Sequence, residues 1–188
     1  MAPSVPALLR PGLLDGETVA FAGGAAHVAA ACAALGAATP AIEGDLLDDE
    51  ALARAVSELG PVGTLVCDTA PAFAAAGGGL AGLRAGIDGA WNALRAVTNA
   101  AFRPAGAGKI VLLAPRPRAG AHAGALRAAA ENTARTVSVE WARYGIRTTA
   151  VLPGDATADD EVAQLAAFLA SPAGDYFSGC AFTLGAAG

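Results

Sequence analysis

The sequence predicts an α/β protein: a doubly wound parallel sheet of about six strands, helices on both faces, folded as a single domain over residues 1–188. Three observations carry this. Short, largely apolar runs, such as residues 18–23, 109–114 and 146–152, lack regular polar alternation, as strands buried on both faces do. Between them lie helix-length segments with apolar residues at three- and four-residue steps. Finally, strand and helix patterns alternate from end to end without a repeat, and a strand that returns parallel to its predecessor needs a crossover of that size.

Taken in order, residues 1–12 form a Pro-rich lead-in expected to be flexible. Residues 18–23 (TVAFAG) are a buried strand ended by Gly23 and Gly24, and residues 25–35 an alanine-rich helix stopped by Gly36. Residues 40–44 read as a second, weaker strand. The acidic run 45–50 opens a helix with Leu52, Val56 and Leu59 on one face and Gly60-Pro61 as its stop. Residues 64–67 are the third strand. A glycine-rich loop over 74–79 then leads into a helix whose wide apolar face holds Leu83, Ile87, Trp91 and Leu94. The fourth strand, 109–114, precedes a long helix over 123–144 with Leu126, Ala130, Val137 and Trp141 in one stripe. A turn at Tyr144-Gly145 feeds the strand 146–152 and a Pro-Gly break. The last helix begins at Asp159 or Asp160, Ser171-Pro172 closes it, and residues 180–184 are the final strand.

Composition narrows the function classes. With 54% hydrophobic residues, 188 residues bury a core without disulfides or metal. A net charge of -5, a pI near 4.9 and no basic block argue against nucleic acid or an anionic membrane as partner. Cys32, Cys67 and Cys180 are odd in number, far apart and set among apolar residues, so they read as thiols of a reducing compartment with no metal-ligand spacing. The N-terminus lacks a basic region followed by an unbroken apolar run, and a cytoplasmic location follows as the expectation.

Residues 138–154 (SVEWARYGIRTTAVLPG) resemble, nearly residue for residue, a helix, turn and strand of the short-chain dehydrogenase/reductase family: Glu140, Trp141, Ala142, then Gly145-Ile146-Arg147, an apolar strand, and Pro153-Gly154. GKIVLL is similar to the strand that leads to the family's catalytic serine, and TLVCDTA to the strand that ends in its paired asparagines. Leu169-Ala170-Ser171 and Tyr176 with Gly179 are similar to its C-terminal pattern. The resemblance covers most of the chain and implies a Rossmann-like fold, NAD or NADP as cofactor, and hydride transfer by a tetrad of Tyr, Lys, Ser and Asn.

The tetrad positions here hold other residues. Counted back from Glu140, the tyrosine position is Ala123 and the lysine position Arg127; the serine position falls on Ala114 or Pro115, and the asparagine position on Gly86. Alanine has no proton to give, and arginine keeps its charge but never deprotonates. His122, beside Ala123, and Arg127 are the remaining catalytic candidates, because imidazole titrates in the useful range. Tyr144 lies about 30 Å along the helix from Ala123 and is out of reach. Of the family's glycine-rich cofactor loop only Gly23 is in place, followed by Gly24; His27 puts a ring where a phosphate would sit. Asp45 stands near the spacing of a ribose-binding acid, and also reads as an adenine contact or a helix cap. Asp68 matches one of the paired asparagines and reads as a polar residue at a strand end. The stretch from Gly154 to the last helix leaves no room for the family's substrate-covering helices.

The expectation from these departures is a non-catalytic protein of this fold, with no cofactor, acting as a structural or regulatory subunit. Association through two long helices, which the resemblance implies, would use Leu83, Ile87, Trp91, Leu126, Val137 and Trp141, with a second copy or a catalytically complete relative as partner. The alternatives are an NAD(P)-dependent oxidoreductase with a non-standard acid, and a nucleotide or small-molecule sensor.

Overall fold

In the computed structural model, which describes residues 8–185, five parallel strands form one sheet in the order β1-β2-β3-β4-β5. They are β1 (Val19–Ala22), β2 (Thr64–Asp68), β3 (Gly108–Leu113), β4 (Ile146–Leu152) and β5 (Cys180–Thr183). Successive residues of each inner strand point to opposite faces. On β1, Val19 and Phe21 enter one core while Ala20 and Ala22 enter the other; on β3, Val111 and Leu113 oppose Ile110 and Leu112. Both faces are therefore apolar, and both are covered. Helices α1 (Ala26–Ala34) and α7 (Asp159–Ala170) pack on the first face. On the second lie α2 (Asp49–Glu58), α4 (Leu80–Val97) and α6 (Ala123–Glu140).

The sixth strand expected over 40–44 does not form, for a covalent reason. The chain does run parallel to β1 there: Ala38 N–H donates to Glu17 O, Val19 N–H to Ala38 O, Phe21 N–H to Pro40 O and Ile42 N–H to Phe21 O. The bond that would join them, from residue 40 to Val19 O, is missing because proline has no N–H. What remains is two isolated bridges, Thr18 with Ala38 and Phe21 with Ala41.

Two short helices were not foreseen. The stretch after β2 coils into α3 (Ala70–Ala75), with Pro71 in its first turn, before the glycines. Beyond α4 the chain passes through a π turn, Thr98–Phe102, into α5 (Arg103–Ala105). The long helix ends at Glu140 and continues as a 3-10 turn, Ala142–Tyr144, closed by Gly145 at φ 69. Of the lead-in, residues 1–7 lie outside the described residues; Leu9 and Leu13 pack against the α1 and α7 core, and Leu14 is fully buried.

The connections set the site. From β1 the chain moves outward to the edge segment 38–42, and from β2 it moves the other way to β3. The carboxyl ends of β1 and β2 thus flank the topological switch point, where open α/β sheets leave a crevice.

Candidate functional site

Gly23, Gly24 and Ala25 carry the chain from β1 into α1 with positive φ at all three, 84, 120 and 55. At Gly23 a side chain would overlap the Asp68 carbonyl, so glycine here lets the ends of β1 and β2 meet. Asp68 closes β2. Its Oδ1 accepts Ala70 N–H at 2.9 Å, and burial pushes its carboxyl up to about 6 against that bond's opposing pull. His27 follows in the first turn of α1, and its Nε2 is buried with no hydrogen-bond partner.

His27 and Asp68 line a crevice of about 420 Å³ at the carboxyl ends of the strands, together with Ala114, Arg116, Arg118, Asp155 and Asp159. Its far wall is a clamp between two loops. Arg116 donates to Gly154 O at 2.7 Å, Thr157 O at 2.6 Å and Asp159 Oδ1 at 2.7 Å. Arg118 N–H donates to Asp155 Oδ1 at 2.9 Å. Sequence reasoning missed these residues; the alternating PRPR after β3, facing the acids after β4, was the available signal.

The residues that the resemblance matched to the tetrad, Gly86, Ala114 or Pro115, Ala123 and Arg127, stand on α4, just after β3 and on α6. Arg127 donates to Pro115 O at 2.7 Å and Pro153 O at 2.6 Å, so its guanidinium is spent holding the ends of β3 and β4 together. Burial lowers its pKa, with Asp155 opposing. Ala114 and Ala123 are buried, and Ala123 packs with Phe73 and Leu126. A side chain at Gly86 would meet Leu126 Cδ2 at 2.7 Å.

The other expected site residues separate. His122 is exposed at the N-cap of α6, makes no capping bond and does not line the crevice. Asp45 is exposed and away from the crevice lining; it accepts Leu47 N–H in a turn, while the cap of α2 is Asp48, which accepts from Glu50 and Ala51. Among the residues assigned to an interface, Leu126 and Val137 are core residues, 1% and 4% exposed, because their stripe of α6 faces the sheet. Leu83 and Trp141 are partly buried. Ile87 and Trp91 do reach the surface, 40% and 46% exposed, and Trp91 stacks on Trp141 with ring centroids 6.0 Å apart. Cys32 and Cys67 are buried free thiols pushed up to about 12 by desolvation, which leaves them unreactive.

No protein-family model matches the sequence, and no curated protein does. Solved structures do. A short chain dehydrogenase from Mycobacterium smegmatis is similar over 99% of this chain and 99% of its own, at 20% identity and TM-score 0.76. The citronellol catabolism dehydrogenase of Pseudomonas aeruginosa PAO1 gives 23% identity over 95% and 97% of the two chains, with TM-score 0.75. A hydroxysteroid dehydrogenase from Escherichia coli gives 21% identity over 94% and 99%, with TM-score 0.73. At identities this low the likeness shows the fold alone, the Rossmann-like fold of these dehydrogenases. No helix among the described residues is long and apolar enough to cross a membrane.

Proposed function

We propose that this chain is a non-catalytic relative of the short-chain dehydrogenase/reductases, working in the cytoplasm as a structural or regulatory subunit of an oligomer. One observation carries the reading: the places where the family's proton-transfer groups would stand are taken up by the chain's own packing. Leu126 fills the space at Gly86, and the Arg127 guanidinium is committed to two strand-end carbonyls. Ala114 and Ala123 offer no proton.

A dinucleotide fits these residues poorly. His27 brings a ring to the helix end where its phosphates would lie, and Gly23 is required by the Asp68 carbonyl, not by a ligand. Asp45 stands apart from the crevice. Support for association comes from α4, where Ile87 and Trp91 are exposed, Trp91 stacked on partly buried Trp141. The partner is a second copy or a catalytically complete relative.

One observation favours a second reading. The partnerless Nε2 of His27, in a crevice shared with Asp68, is what a bound small molecule would satisfy, whether in a sensor or in an oxidoreductase with a non-standard acid.

The test is titration with NADH and NADPH, following nicotinamide fluorescence and thermal unfolding together. A ligand that binds only the folded state raises the midpoint by mass action. The expected result is no fluorescence change and no shift at millimolar nucleotide. Micromolar binding of either would overturn the non-catalytic reading and move the work to His27→Ala and His122→Ala with a panel of carbonyl substrates.

A further inference from the structure

The edge of the sheet beside β1 has an unusual asymmetry. In the segment 38–42, Ala38, Pro40 and Ile42 turn their backbone groups toward β1. Thr39, Ala41 and Glu43 therefore turn theirs outward, and among the described residues none of those N–H and C=O groups has a backbone or side-chain partner. Proline commonly protects an edge strand from pairing, by removing a donor from its open side. Here the missing donor is on the closed side, since Pro40 O accepts from Phe21. The outer row is intact. Ala41 is exposed and carries only a methyl group, so an approaching backbone is not blocked.

The charge around this edge is one-sided. Seven of the chain's 17 acids and none of its 12 bases fall between residues 11 and 53. Three of them stand at the ends of the edge. Asp15 lies against Gly36 at the start, and Glu43 and Asp45 follow at the finish; the Glu17 carboxylate lies on the other side of β1, against Gly63. No Lys or Arg among the described residues pairs with Asp15, Glu17, Glu43 or Asp45. A second copy brought edge to edge would set this acidic region against itself, a repulsive arrangement.

We propose that the 38–43 edge is a docking site for an extended, lysine- or arginine-bearing peptide segment of another protein, which adds to the sheet as a strand next to residues 39, 41 and 43. Main-chain hydrogen bonds would supply the affinity and the flanking acids the selectivity. The site is separate from the exposed face of α4 and holds whether or not the chain binds a nucleotide.

The probe is a fluorescent heptapeptide of alternating lysine and valine, followed by anisotropy. Two controls separate strand addition from plain ion attraction: the same peptide N-methylated at alternate residues, with its charge unchanged, and a glutamate–valine counterpart. On the protein, Ala41→Pro removes one outward donor while leaving every bond to β1 in place. The lysine peptide should bind and weaken with salt. N-methylation and Ala41→Pro should each weaken it about tenfold, the scale of one or two lost hydrogen bonds, and the glutamate peptide should not bind. Equal binding of the methylated peptide would overturn the proposal, as would no binding of the lysine peptide or dispersal of an oligomer by Ala41→Pro. If Ala41→Pro fails to fold, the peptide comparison decides alone.

Discussion

Asp68 shows how much one buried carboxyl changes the pH response of the fold. Its pKa is lifted from 3.8 to about 6 because burial penalises the charge. Below about pH 4 the group is protonated in both folded and unfolded chains and is neutral to stability. As the pH rises toward 6 the unfolded chain gives up its proton first, so stability falls, and above about 6 the loss is complete. The shift corresponds to at most about 3 kcal/mol. Asp68→Asn keeps the bond from Ala70 and removes the charge. Urea unfolding at several pH values should therefore show the variant gaining on the parent between pH 4 and 6, then holding a constant lead. Parallel curves would mean that the carboxyl is hydrated in the folded protein. Arg127 makes the complementary point, since a residue placed at a catalytic position by sequence is here a strut between β3 and β4.

At the scale of elements, Pro40 decides where the sheet stops being regular. Val19 faces the edge segment, as its bond to Ala38 shows, and its carbonyl lacks the donor that residue 40 would supply. Pro40→Thr restores that donor and suits an extended backbone. An amide at position 40 protected from hydrogen exchange to the level of Phe21 is the expected outcome. Net stability should change by under about 1 kcal/mol, because the new bond is offset by the freer unfolded chain. Fast exchange at position 40 would show that the bridges do not extend into a strand. The same logic explains α3: the Ala-Pro-Ala-Phe run carries no strong periodic signal of its own, yet Pro71 suits a first helical turn and Phe73 buries completely.

At the scale of the whole molecule, α4 leaves large apolar side chains at the surface. Trp91 is held against Trp141 and still leaves nearly half its surface exposed, with Ile87 one turn away on the same helix. If a second copy covers this face, folding and association are linked, and Tm should rise with protein concentration. Trp91→Glu should abolish that dependence and bring the mass in solution to the 18.3 kDa of one chain. A Tm independent of concentration in the parent would leave a different protein as the partner of this face.

Strand and helix order were legible because they rest on local chemistry: apolar runs, glycine stops, proline breaks and acids at helix starts. The doubly wound class followed from that alternation alone. That Gly86, Ala114 or Pro115, Ala123 and Arg127 stand at the positions the resemblance matches to the tetrad was legible too, as residue identity at a spacing. Four things were not. Leu126 and Val137 read as interface residues because a helical stripe shows which residues share a face without showing what that face meets. The clamp of Arg116 on Gly154, Thr157 and Asp159 joins loops on two strands, and only their adjacency in the sheet brings those groups together. Asp68 gains its raised pKa from burial that a strand-end position does not reveal. The direction in which Pro40 turns its ring, toward β1, is set by the register of the edge segment, and it decides whether that proline guards the edge or leaves it open. Sequence determined the kinds of element and their order; contacts between residues distant in the chain decided faces, partners and charge states, because burial and pairing exist only once the layers close.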